Sequence, residues 1–127
     1  MNPFSHIDLR VKSLERALPF YSVVLPALGF KRTFHSGEWN VFAGDGDLPS
    51  APYFAITEDP EHHPNKNRIA FWLPSREEVD RLSILIRGAG GNITGGPKLF
   101  PEISSSYYAL YFEDPSGNRL ELVHRID

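Results

Sequence analysis

The chain has no cysteine among its 127 residues, which excludes a disulfide framework, a thiolate zinc site and a cysteine nucleophile. No apolar stretch approaches the length needed to cross a bilayer, and Met1 is followed by Asn2-Pro3-Phe4 rather than by a basic and then an apolar run. A soluble, cytoplasmic protein with no membrane partner is therefore expected. Lysine and arginine are scattered rather than clustered and the formal charge is -3, so no nucleic-acid partner is expected either. A small molecule is the partner that suits this composition. At 127 residues the chain is long enough to bury a core by packing alone, and one domain, 1–127, built of two halves is expected.

What the chain does contain is one plan written twice. The segments Ser5-His6-Ile7-Asp8-Leu9-Arg10-Val11-Lys12-Ser13 and Asn67-Arg68-Ile69-Ala70-Phe71-Trp72-Leu73-Pro74-Ser75 each read as a short alternating strand ending on a serine that can cap a helix. An offset of 62 residues carries His6 onto Arg68, Ile7 onto Ile69, Ser13 onto Ser75, Glu15 onto Glu77, Ala17 onto Val79 and Gly29 onto Gly91. A repeat of about half the chain implies two copies of one small unit rather than a solenoid. The seam between two such copies is a natural ligand site.

In the first half, Phe4 to Val11 alternates, with Ile7, Leu9 and Val11 on one face and His6, Asp8 and Arg10 on the other. Ser13 caps a helix whose apolar positions run from Leu14 to Leu28, with Gly29 as the stop and with Pro19 and Pro26 inside it. Strands are expected at Phe30–His35, Glu38–Ala43 and Tyr53–Glu58. Module one is thus βαβββ over 4–58, and the proline-bounded polar stretch 59–66 is a linker whose His62 and His63 read as solvated side chains. Module two, 67–124, repeats the order. A strand at Asn67–Leu73 leads to the capping box Ser75-Arg76-Glu77-Glu78 and a helix ending before Gly88. Strands near Asn92–Thr94, at Tyr107–Glu113 and at Asn118–His124 complete it, the last two joined by the turn Asp114-Pro115-Ser116-Gly117. An offset of 66 lays the turn and strand Pro115–Leu122 on Pro49–Ile56, which matches Glu121 with Ala55.

Several of these segments together resemble the vicinal oxygen chelate superfamily, which includes glyoxalase I, extradiol dioxygenases and bleomycin-resistance proteins. The carriers are His6-Ile7-Asp8-Leu9-Arg10-Val11, the helix end Phe20-Tyr21 to Leu28-Gly29-Phe30, the strand Arg68-Ile69-Ala70-Phe71, and the ending Tyr111-Phe112-Glu113-Asp114-Pro115-Ser116-Gly117-Asn118-Arg119-Leu120-Glu121-Leu122. The resemblance implies an α+β fold of two tandem βαβββ modules forming an open, curled mixed β-sheet cleft with helices outside, and commonly a homodimer. It also implies a divalent metal held by inner-strand residues. His6 matches the family's first-strand histidine ligand and Glu121 its last-strand glutamate. Arg68 stands where metal-binding members usually have the second histidine, and Ala55 where some have a further carboxylate or histidine.

Two functional readings follow. In the first, Glu121 is a general base and His6 a metal ligand or acid, the metal site being His6 with Glu121, in lyase, isomerase or dioxygenase-type chemistry on a small oxygen-rich metabolite. In the second, the cleft is a metal-free receptacle in which Arg68 takes the place of the ion and pairs with Glu121 in a bidentate fork. In both, Arg68, Arg10, Asp8, Tyr53, Trp72 and Tyr107, with Thr57 beside them, line an aromatic and polar pocket for a partly planar or anionic ligand. A divalent metal is possible but disfavoured, because two protein ligands fall short of the usual three. The polar stretch Pro101-Glu102-Ile103-Ser104-Ser105-Ser106 reads as a flap or as a plain surface loop.

Overall fold

The computed structural model describes residues 2–47 and 49–127. The chain divides into two compact units between His63 and Pro64, within the span assigned to the linker. The first contains β1 (His6–Val11), α1 (Leu14–Ala27), β2 (Arg32–Ser36), β3 (Trp39–Ala43) and β4 (Tyr53–Glu58). The second contains β5 (Arg68–Trp72), α2 (Arg76–Gly88), β6 (Asn92–Leu99), β7 (Tyr108–Glu113) and β8 (Arg119–His124). Each forms a four-stranded mixed sheet, ordered β1-β4-β3-β2 in one and β5-β8-β7-β6 in the other, with the leading strand parallel to the last and the other pairs antiparallel. The α+β architecture of two tandem βαβββ modules is what this chain forms.

The repeat extends to hydrogen-bond register. His6 pairs with Tyr53 and Asp8 with Ala55, while Arg68 pairs with Arg119 and Ala70 with Glu121. The offsets of 62 and 66 therefore carry one parallel ladder onto the other. Both caps form as well, with Ser13 Oγ accepting from the Arg16 amide at 3.3 Å and Ser75 Oγ from the Glu78 amide at 3.1 Å. α1 packs on β4 through a buried stripe of Ala17, Phe20, Tyr21, Val24 and Leu25, and that stripe sustains the helix across Pro19 and Pro26, each of which removes an internal bond. α2 packs on β7 and β8 through Val79, Leu82 and Ile86.

Three local expectations are corrected. The reciprocal half of the capping box does not form, because the Glu78 carboxylate takes Arg81 one turn on, a charge-assisted bond stronger than one to a neutral amide. The glycine equivalent to Gly29 (φ +103°) is Gly90 (φ +99°) rather than Gly91, since α2 has 13 residues against 14 in α1. The β2 strand starts at Arg32 because the Phe30 amide closes the helix end, donating to Leu25 O at 2.9 Å. In addition, β6 runs on to Leu99 through bulges around Gly95, where Gly96 (φ +83°) lies close to the β7 backbone. Among the described residues no helix is long and apolar enough to cross a membrane.

Candidate functional site

Strand alternation sets the polar face of the second sheet. Ile69, Phe71, Leu120, Leu122, Leu110 and Phe112 alternate out of phase with Arg68, Ala70, Trp72, Glu121, Val123, Ala109 and Tyr111, so the two sets occupy opposite faces. The β7–β8 hairpin is locked by its turn. Asp114 Oδ1 accepts from the amides of Ser116 at 2.8 Å and Asn118 at 2.9 Å, Asn118 Nδ2 donates to Asp114 Oδ2 at 2.9 Å, and Gly117 supplies the positive φ of +89°. Counting back from that turn places Tyr111 directly opposite Glu121, with Ala70 on the other side.

Glu121 is only 4% exposed although it lies on the polar face. Tyr107, at the end of the loop before β7, donates its hydroxyl to Glu121 Oε2. The remaining oxygen has no protein donor among the described residues. Arg68 lays its guanidinium over the Tyr111 ring, 4.8 Å from the centroid, and Phe100 meets the same ring edge-on at 5.0 Å. Burial first, then the Glu121 carboxylate, push the Tyr107 phenol well above its ordinary pKa, and the same two causes raise Tyr111. Both phenols are therefore neutral hydrogen-bond donors at physiological pH rather than bases. Trp72 is on the same face, 60% exposed, with its indole N–H directed to Arg125 O at 3.4 Å.

On the first sheet His6 stacks on Tyr53 with ring centroids 4.7 Å apart and planes 7° apart, and its Nδ1 shares a hydrogen bond with Ser5 Oγ at 2.9 Å. Arg10 donates to Asp8 Oδ2 at 3.0 Å, and the buried Thr57 donates to Asp8 Oδ1 at 3.2 Å. The candidate residues thus form two groups. His6, Asp8, Arg10 and Tyr53 cluster along β1 and β4, whereas Arg68, Tyr107 and Glu121 cluster on the second sheet with Trp72 nearby. The second group adds Tyr111, which the sequence reading passed over. Its signal was available in the turn, because the Asp114–Gly117 hairpin fixes which β7 residue faces Glu121.

Comparison with known proteins bears on this geometry. The chain matches the Glyoxalase/Bleomycin resistance protein/Dioxygenase superfamily over residues 4–122. It belongs to that superfamily. Among solved structures it is similar to a glyoxalase/bleomycin resistance protein from Albidiferax ferrireducens, with 26% identity, a TM-score of 0.78, and 98% of this chain and 100% of that one covered. It shares its fold with a genomically encoded fosfomycin resistance protein from Listeria monocytogenes, with 21% identity, a TM-score of 0.73, and coverage of 100% and 94%. A family enzyme from Burkholderia phytofirmans likewise shares the fold, with 15% identity, a TM-score of 0.73, and coverage of 96% and 98%. No curated protein matches the chain at a significant level.

The superfamily's divalent metal can be tested against the donors present. Among the described residues no three His, Asp or Glu side chains gather around a point that could hold an ion. At the second-histidine position the Arg68 cation rests on Tyr111, and one Glu121 oxygen is engaged by Tyr107. On the second sheet taken alone these groups do not fit the ion, because the Arg68 guanidinium opposes a divalent cation and Glu121 is a single carboxylate ligand.

Proposed function

We propose that this member of the superfamily binds a small, oxygen-rich, partly planar acid on the second-sheet face that carries Arg68, Trp72, Tyr107, Tyr111 and Glu121, as a metal-free binding or sequestering protein. The observation that carries this reading is Glu121. Its side chain is largely taken out of water, one oxygen accepts from the Tyr107 phenol, and the other has no protein donor among the described residues yet is not sealed from solvent, so it is open to a ligand donor. A ligand hydroxyl satisfies the other oxygen. Arg68, exposed and free of any carboxylate partner among the described residues, supplies a fixed charge for an acidic group, and the rings of Tyr111 and Trp72 offer π surface. The first sheet, taken by itself, carries a separate polar patch, His6 stacked on Tyr53 beside the Arg10–Asp8 pair, whose residues are proposed as candidate ligand contacts of that unit. Superfamily members are commonly dimers, and the same assembly, in the cytoplasm, is proposed for this chain.

A second reading rests on the same carboxylate. The open oxygen of Glu121 is placed to accept a proton from a bound hydroxyl, with Tyr107 steadying the charge. That is the start of lyase, isomerase or dioxygenase-type chemistry.

Salicylate, which joins a phenol to a carboxylate on one ring, is the test probe, titrated by its own fluorescence. Saturable binding is expected, unaffected by a chelator and weakened at least tenfold in both Arg68→Ala and Glu121→Gln. Equal affinity in wild type and both variants would overturn the assignment, and loss of binding on chelation would overturn its metal-free character.

A further inference from the structure

The loop from Phe100 to Tyr107 is held by a carboxylate outside it. Three consecutive hydroxyls converge on Asp127: Ser104 donates to Oδ1 at 2.9 Å, Ser105 to Oδ2 at 3.0 Å, and Ser106 to Oδ1. The grip is returned by the Ile126 amide, which donates to Ser106 Oγ at 3.0 Å. The segment after β8 is itself tied down, with Arg125 Nη1 on Asp127 O at 2.8 Å and the Trp72 indole on Arg125 O. Backbone bonds close the loop at its base, the Phe100 amide donating to Tyr107 O at 2.8 Å and the Ile103 amide to Phe100 O at 3.0 Å, while the side chains of Pro101, Glu102, Ile103 and Ser105 are exposed and pack on little. Hydrogen bonds to a charged acceptor are stronger than neutral ones, so three on one carboxylate add a side-chain strap to that backbone frame and bias where the loop rests. The residue after the third serine is Tyr107, whose hydroxyl is the sole protein donor to Glu121 among the described residues.

We infer that Asp127 is a positioning residue for the binding site: by gathering Ser104, Ser105 and Ser106 it sets the Phe100–Tyr107 loop so that the Tyr107 hydroxyl meets Glu121. The inference rests on the function proposed above and deepens it. It makes the segment following β8 part of the site's machinery. With the strap released the loop samples other conformations, Tyr107 leaves Glu121, and the pre-organised half of the carboxylate's hydrogen bonding is lost.

The test is a double-mutant cycle in the full chain with salicylate as probe. Asp127→Ala is expected to weaken binding three- to tenfold, as is Tyr107→Phe, and the double variant to be no weaker than Tyr107→Phe alone. The triple replacement of Ser104, Ser105 and Ser106 by alanine should reproduce Asp127→Ala. A readout that needs no ligand accompanies it: amide hydrogen exchange should accelerate over 101–107 in Asp127→Ala and stay unchanged in α2 and in the core of β7. Wild-type affinity in Asp127→Ala, or losses that simply add in the double variant, would overturn the positioning role. If Arg68→Ala and Glu121→Gln weaken salicylate while Asp127→Ala does not, the strap fails and the site stands. If exchange over 101–107 accelerates while none of the variants changes affinity, the strap is real and the site assignment fails.

Discussion

Asp8 and Glu121 occupy the same register position in their respective sheets, but on opposite strands of the parallel pair. Asp8, on the leading strand, faces Ala55, and Glu121, on the last strand, faces Ala70. Each module therefore places one carboxylate and one alanine at that position. Their surroundings differ in kind. Asp8 is exposed and is met by Arg10 and Thr57, whereas Glu121 is buried and is met by one phenol.

This difference sets the first prediction. Tyr107→Phe leaves a buried carboxylate without its protein donor and should cost about 1–3 kcal/mol in urea denaturation. Adding Glu121→Met removes the stranded charge as well, so the double variant should recover wild-type stability or exceed it while losing salicylate binding. Arg10→Ala, which breaks the exposed Arg10–Asp8 pair and leaves Thr57 its acceptor, should change stability by less than about 1 kcal/mol. A double variant less stable than Tyr107→Phe would show that Glu121 is held by more than the phenol.

Gly96 and Gly90 both have positive φ, yet their replacement should not be equivalent. A β-carbon on Gly90 meets nothing within 4 Å, so Gly90→Ala carries only the backbone penalty of about 1–2 kcal/mol. A β-carbon on Gly96 would sit 2.2 Å from Ala109 O, forcing β6 off β7 at the bulge. Gly96→Ala should therefore cost at least about 1 kcal/mol more than Gly90→Ala. Similar denaturation midpoints for the two would show that β6 takes a β-carbon at Gly96 without leaving β7.

Ser75→Ala separates folding from binding. The hydroxyl caps α2 through the Glu78 amide, and because the Glu78 side chain is given to Arg81 the cap works without a reciprocal bond. A loss of about 1 kcal/mol is expected, with salicylate affinity unchanged. A large affinity loss would tie the α2 N-terminus to the site.

The fold was legible because its signals are local and repeated. Alternation in β1 and β5, serine caps on both helices and the Asp-Pro-Ser-Gly turn each fix a short segment, and one offset relates them. Departures occur where a group had two local partners within reach and took the one the pattern did not favour. Glu78 went to Arg81, and Phe30 closed α1 through its amide. The pairings among the candidate site residues were less legible than the fold. One of the two readings paired Arg68 with Glu121, whereas Arg68 rests on Tyr111 and Glu121 takes Tyr107. A cation on a ring and a phenol on a carboxylate depend on loop geometry, which the polar stretch 101–106 does not encode by period. The convergence of three serines on Asp127 is still more remote, because it joins residues more than 20 positions apart.

Alkaline pH gives a last test, at the contact between β7 and α2. The Tyr108 hydroxyl donates to Asp80 Oδ1, and Arg76 lies over the Tyr108 ring, 5.4 Å from its centroid. The bond to Asp80, followed by burial, pushes the phenol from its ordinary 10.0 up to about 12. The native state therefore keeps this proton at a pH where the unfolded chain has released it. Stability from this group is fully present below about pH 10 and is lost as pH rises toward 12. Tyr108→Phe has no proton to lose there. It should be less stable than wild type by about 1 kcal/mol at pH 7, through the missing hydrogen bond. The gap between the two proteins should then narrow steadily above pH 10, because Tyr107 and Tyr111 titrate in both and cancel in the difference. Urea midpoints measured for the pair at pH 7, 10 and 11 check this, and a gap that stays constant across the series would mean that Tyr108 and Asp80 are not bonded in solution.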